Sequence, residues 1–371
     1  MKIKPFALER YFAGHEFSAR YLLSSSDCEA LTLAEVLETA DAEARRLWDH
    51  LKLGYTETPG HPVLREAIAD MYRGLTAEDV LVVVPEEGIF LLMQTLLEPG
   101  DHLICTFPGY QSLYEVAAAM GCQVTRWSPD ESRGWHFNPR DLEAMFRDNT
   151  RLLVVNFPHN PTGFVPTREE FEEVLALAAG RNIHVFSDEM YRSLEFDGEA
   201  LPAGAEVYDR AVSLSGLSKA YGLPGLRIGW VATRDRELLE SMSRLKDYIT
   251  ICNSAPSEIL ALMAVRARAD IIGRQRGLIH KNLGVLRGFF DSHQDLLQCQ
   301  SPRGGSICFP HLTAVADTFA FCEKLVAETG IMLVPSRMFD YGDGHVRVGF
   351  GRRDLPEVLS RFSVYLEAKF R

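Results

Sequence analysis

The sequence has no apolar run long enough to cross a membrane, no C-x-x-C pair and no surplus of basic residues. Each absence removes a class of protein. A spanning helix needs about 20 consecutive apolar residues, so a membrane anchor of that kind is not expected. The opening stretch MKIKPFALERYFAGHE carries glutamates where a signal peptide would be apolar, which points to the cytoplasm. The cysteines number seven and are scattered, which suits buried thiols in a reducing compartment better than a disulfide frame or a zinc site. No metal centre is therefore expected. A formal charge of -12 without a compensating basic stripe argues against nucleic acid or an anionic membrane as a partner.

What is present is globular. The chain has 371 residues, 46% of them hydrophobic and 24% charged, enough for two packed units. Strand-like runs occur at 79–84, 102–106, 122–127, 152–156, 183–187, 211–215 and 228–233, with helical patterns between them. Thr167 and Glu170 have capping-box spacing at the start of one such helix, Gly180 stands where it would stop, and Asn138-Pro139 opens another. Short apolar strands alternating with helices predict an α/β fold: a three-layer α/β/α large domain with a mostly parallel sheet. After about residue 250 longer helices dominate, predicting a smaller α+β domain. The expected division is an arm at 1–45 packing with the small domain, a large domain at 46–250 and a small domain at 251–371.

Polar residues fall where strands end. LLVVN runs into FPHNPTG, IHVFS into DEMY, and AVSLS into GLSK. In an open parallel sheet the carboxyl edge is where ligands bind, so Asn160, Asp188, Tyr191 and Lys219 are candidates for one crevice. Taken alone, each is ordinary: a turn, solvated loop acids, a surface amine. A lysine, a carboxylate, an amide, a phenol and an arginine together suit a phosphorylated heteroaromatic aldehyde. The lysine forms a Schiff base, the carboxylate keeps a pyridine nitrogen protonated, amide and phenol share a ring oxygen, and arginine holds the phosphate.

The chain resembles the fold-type I, pyridoxal-phosphate-dependent class I/II aminotransferases over nearly its whole length. SGLSKAYGLPGLRIGW is similar to their lysine motif, which implies Lys219 as the Schiff-base residue, Arg227 as a phosphate ligand and Ser218 as a further phosphate hydroxyl. NFPHNPTGF implies Asn160 at the cofactor's ring oxygen, and FSDEMY implies Asp188 at the pyridine nitrogen with Tyr191 at the ring oxygen. FPGYQSLY implies Tyr110 stacking on the ring, and YTETPGHPVLREAIAD implies Tyr55 reaching the phosphate of a neighbouring subunit. GHVRVGFGR implies Arg347 gripping a substrate α-carboxylate. The resemblance therefore implies pyridoxal 5'-phosphate, an amino acid and a 2-oxo acid as substrates, and a homodimer with shared active sites. Lys219, Asp188 and Tyr191 are the expected catalytic residues.

Two stretches depart from the family. Relatives commonly place small residues before the phosphate-binding helix, whereas this chain has Pro85-Glu86-Glu87. Proline offers no N–H, so the backbone amides of Glu86 and Glu87 are expected to serve the phosphate, with both carboxylates turned away. The segment Ser24–Asp27 is expected either to contact substrate or to cap a helix. Lys246 and Tyr248 have no assigned role, and Gly222 is either a shaping residue or plain loop. Other reactions share the cofactor: a lyase, a cyclase of amino-acid-derived natural products, or an oxidase acting on an arginine-like substrate. A non-catalytic sensor is a further alternative, but it needs a basic helix-turn-helix extension that the start of the chain does not resemble.

Overall fold

The computed structural model describes residues 2–196 and 200–370. Its centre is a seven-stranded sheet. The strands are β1 (Val80–Val83), β2 (His102–Thr106), β3 (Gln123–Trp127), β4 (Thr150–Asn156), β5 (His184–Asp188), β6 (Ala211–Gly216) and β7 (Gly229–Ala232). Their spatial order is β1-β7-β6-β5-β4-β2-β3. All neighbours are parallel except the pairs that β7 makes with β1 and β6.

The sheet is covered on both faces, and the period-2 alternation of strands shows how. Leu152 and Val154 of β4 face one core with Phe186 and Leu214. Leu153 and Val155 face a second core with Val185, Ala211 and the helix residues Phe171 and Val174. That helix, Arg168–Ala179, begins with the expected capping box between Thr167 and Glu170. It ends before Gly180, which stays right-handed at φ -60. Asn138 caps the helix Pro139–Glu143 by accepting from the Arg140 amide. Only the edge strand β3 is largely open to water, and it carries Thr125 and Arg126, polar side chains that discourage further pairing.

Beyond β7 the pattern changes to long helices, among them Ala255–Arg266, Arg268–Ser292 and Leu355–Phe370. They accompany a small antiparallel sheet of Ile307–Cys308, Val346–Gly349 and Val334–Pro335. The N-terminal segment joins this part: Tyr21–Leu22 pairs in parallel with Ile331–Met332. No helix among the described residues is long and apolar enough to cross a membrane. All seven cysteines are free thiols, and most are buried.

One glycine ties the N-terminal segment to the loop after β6. Gly222 has φ +64, and a Cβ there would overlap the carbonyl oxygen of Glu29 and lie 2.6 Å from Gln275 Nε2. Gln275 in turn donates to Glu29 O at 2.8 Å, and the Leu31 amide donates to Gly222 O. Gly222 is therefore a shaping residue rather than plain loop. Gly222→Ala is expected to lower stability by about 2 kcal/mol, the sum of a strained φ and a backbone clash. A denaturant midpoint equal to that of the parent would refute this close approach.

Candidate active site

A cavity of about 560 Å³ opens beyond the carboxyl ends of β4, β5 and β6. Register places its floor. Asn156 is level with Asp188 across the β4–β5 pair, and Asp188 with Leu214 across β5–β6. All three side chains line the cavity. The turn after β4 is built by its own polar groups. Asn156 Oδ1 accepts from the Asn160 amide at 2.8 Å, and His159 Nδ1 lies 2.7 Å from Thr162 Oγ1. This fixes Asn160 in the wall, while burial keeps His159 neutral with its pKa lowered to about 3.

Lys219 leaves the loop after β6 and enters the cavity, where its Nζ donates to Ser26 Oγ at 2.8 Å. Tyr191 follows β5; the lysine nitrogen lies 5.9 Å from its ring centroid. The Tyr191 hydroxyl is buried and has no hydrogen-bond partner among the described residues. Asp188 is buried, and that burial raises its carboxyl to about 7, against the Met190 amide that donates to Oδ1. Arg347 comes from the small sheet and is only 1% exposed. It donates through Nε to Ser24 O at 3.1 Å and through a terminal nitrogen to Asn160 Oδ1 at 3.3 Å. Ser218 is buried in the wall, and Arg227, at φ 54, reaches the wall while donating to Pro224 O.

The Ser24–Asp27 question is settled in favour of the cavity. Ser24 and Ser26 meet Arg347 and Lys219, and Ser25, Ser26 and Asp27 line the wall. The following helix starts only at Leu33, capped by Thr32 in a capping box with Glu35. That box is legible in the sequence, and it lies too far along for Ser24–Asp27 to be caps.

The two glutamates part ways. Glu87 is turned away: its carboxylate accepts from the Val84 amide at 3.3 Å and from Thr250 Oγ1 at 2.6 Å. Glu86 corrects the expectation that both would turn out. It lines the cavity, and burial raises its carboxyl to about 7, helped by Glu9 and Asp188 and opposed by Ser112 and Arg227. The reason is register along the helix Pro85–Leu96: one residue of the first turn meets the sheet edge and the next meets the 246–253 segment.

Sequence reasoning missed the N-terminal helix Ala7–His15 as part of the wall. Glu9, Phe12 and Glu16 line the cavity, an i, i+3, i+7 face that a helical reading of the arm shows. Tyr110 donates to Glu9 Oε1 at 3.0 Å, and the Phe6 ring sits 4.9 Å from its own. Tyr55 is not in the wall and is 91% exposed. Lys246 is fully buried, donating to Asn253 Oδ1, and Tyr248 is 90% exposed. No cluster of three or more metal-ligating side chains occurs among the described residues.

The model of one family, "Aminotransferase class I and II", matches residues 21–362. The chain belongs to that family. Capreomycidine synthase of Streptomyces vinaceus is 34% identical over 362 residues, covering 96% of this chain and 92% of that protein. A PLP-dependent aminotransferase from Streptococcus suis 89-1591 superposes with a TM-score of 0.93 at 30% identity, over 100% of both chains. The PLP-dependent cyclase OrfR superposes with a TM-score of 0.91 at 28% identity, over 100% of this chain and 98% of that one.

As a class I/II family enzyme, the chain uses pyridoxal 5'-phosphate. The donor set fits that group. An orphaned buried phenol, a buried acid that makes no ion pair among the described residues, a half-buried lysine and a wall arginine meet in a single cavity. Each is costly or idle without a ligand to meet it.

Proposed function

We propose that this enzyme activates the Cα–H bond of an amino acid, with Lys219 carrying the proton and Arg347 holding the α-carboxylate. Pyridoxal 5'-phosphate, when bound, supplies the aldehyde that links to amines and the ring that accepts electrons. The chain's residues do the rest. Asp188 would hold the ring nitrogen, Asn160 and Tyr191 the ring oxygen, and Tyr110 one face of the ring. Ser218, Arg227 and the amides of Glu86 and Glu87 would hold the phosphate. The buried Arg347 presents a fork of donors that matches a carboxylate. Lys219 is the general base and acid, with Ser26 orienting its nitrogen before substrate arrives. The observation that carries this reading is the Ser24–Asp27 segment, which joins Lys219 to Arg347 through direct hydrogen bonds.

Two net reactions share that step. Amino transfer to a 2-oxo acid is supported by the family motifs and by likeness to the Streptococcus suis aminotransferase. Ring-forming chemistry that retains the amino acid's nitrogen is the second reading. It is favoured by full-length likeness to capreomycidine synthase and the cyclase OrfR. The loaded enzyme given an isotope-labelled amino acid and 2-oxoglutarate separates them. Transfer yields labelled glutamate and a new 2-oxo acid; ring formation yields a product retaining the label and no glutamate. If neither product forms with any of the standard amino acids, transfer among them is refuted.

The division at 1–45, 46–250 and 251–371 is part of the same proposal, supported by the pairing of Tyr21–Leu22 with the C-terminal part. So are a cytoplasmic location and a homodimer. The exposed apolar side chains Leu53, Tyr55, Tyr248 and Ile251 suit a subunit interface that delivers Tyr55 to the neighbour's phosphate.

A further inference from the structure

Carboxylates outnumber cations in the cavity wall. Lys219, Arg227 and Arg347 are its wall cations, and the proposed function assigns each of them to cofactor or α-carboxylate. Glu9, Glu16 and Asp27 line the same cavity as Lys219 and Arg347. Asp27 meets Arg352 at 3.0 Å, and Glu9 accepts from the Tyr110 hydroxyl without an ion pair among the described residues. The Glu16 carboxylate has no hydrogen bond or ion pair among the described residues. Its pKa is raised, by burial first and then by Asp27 and Glu9, against the opposing charges of Arg352 and Lys219.

Such crowding is unfavourable without a cation, because like charges at short range repel and half-buried sites screen them poorly. Tyr191, whose buried hydroxyl is orphaned among the described residues, lines the same cavity and marks it as a ligand site. An amino acid held by Arg347 at its carboxylate and facing Lys219 with its amine sends its side chain onward. The Ser24–Asp27 segment spans those two anchors and ends at Asp27, which lines the cavity together with Glu9 and Glu16 of the arm.

We infer that Glu9, Glu16 and Asp27 form a side-chain subsite selecting amino acids with a cationic side chain, an ammonium or a guanidinium. An acidic side chain meets three carboxylates there. A neutral one leaves Glu16 unpaired. Only a cation relieves the repulsion. The inference rests on the function proposed above and adds the substrate class to it.

The loaded enzyme is titrated with L-arginine, L-ornithine, L-lysine, L-leucine and L-glutamate, and binding is read from the shift in cofactor absorbance rather than from turnover. The basic amino acids are expected to bind at least about tenfold more tightly than L-leucine, with L-glutamate weakest. Glu16→Gln and Glu9→Gln are each expected to cut the L-arginine to L-leucine preference by about tenfold. Equal or tighter binding of L-leucine or L-glutamate by a loaded enzyme overturns the subsite and leaves the proposed function standing. A preference unmoved by both substitutions overturns the residue assignment. A chain that takes up no cofactor overturns both proposals.

Discussion

Alanine at position 219 is expected to yield a folded chain that no longer holds its cofactor covalently and turns over at least about ten-thousand-fold more slowly. That factor is the upper end of what a positioned proton carrier contributes, and the same residue also provides the covalent link. Lys219 is the only lysine in the cavity wall among the described residues, and its nitrogen is already placed by Ser26 at 2.8 Å. No second amine stands ready to replace it. The loss is not expected to come from misfolding. The side chain is only half-buried, and its single hydrogen-bond acceptor is a serine hydroxyl that faces the same cavity. Borohydride reduction followed by peptide mapping reads the first effect: the parent carries the label on the peptide containing Lys219, and the variant carries none. A small amine in the buffer is expected to restore part of the turnover by occupying the vacated space, at a rate that rises with amine concentration. Full activity in the variant, or a label on another lysine, would refute the role assigned to Lys219.

The strand ends that place this lysine were readable from the chain because local signals agreed there. The buried strands are short, largely apolar runs, and β5 and β6 end within a residue of where the apolar run ends. The polar residues that follow them needed only the rule that ligands bind at the carboxyl edge of a parallel sheet. The arm was harder. Glu9 and Glu16 stand far from every motif, and their place in the wall depends on the helix Ala7–His15 docking across the sheet. That docking is fixed by long-range contacts such as Tyr11 OH to Leu333 O and the Ala7 amide to Gln111 Oε1. No local pattern carries such information. Glu86 shows the opposite limit. Its place on the helix was clear, but which of two adjacent acids turns inward depends on what packs outside, and Thr250, which holds Glu87, lies 163 residues further along. Ser24–Asp27 was legible in principle, since the Thr32–Glu35 box shows that the helix starts later.

Asp188→Asn is expected to slow the loaded enzyme by about a hundred- to a thousand-fold, roughly 3–4 kcal/mol of lost electrostatic stabilisation. The substitution keeps the shape and removes the charge that would face the cofactor's ring nitrogen. In the cofactor-free chain the same change is expected to alter how stability responds to pH. Burial raises the Asp188 carboxyl from its ordinary 3.8 to about 7. The folded chain therefore keeps a proton that the unfolded chain releases above about pH 4. Stability tied to this group is fully present below that value and is lost as pH rises through about 7. The shift corresponds to at most about 4 kcal/mol. Glu86 is likewise raised to about 7 by its own burial, with Asp188 adding to the shift, so the two contributions do not simply add. The cofactor-free parent is expected to lose denaturant resistance steadily between about pH 4 and pH 7. Asp188→Asn, which carries no titrating proton at that site, is expected to show a visibly shallower decline. Cofactor binding reverses the sign of the problem, because a cationic ring nitrogen turns the ionised Asp188 from a buried liability into half of an ion pair. The loaded parent is thus expected to hold its denaturation midpoint across that pH range, and Asp188→Asn to gain less from loading than the parent does. An equal gain on loading, or pH profiles that coincide for the two cofactor-free proteins, would show that Asp188 is not the group whose charge the cofactor meets.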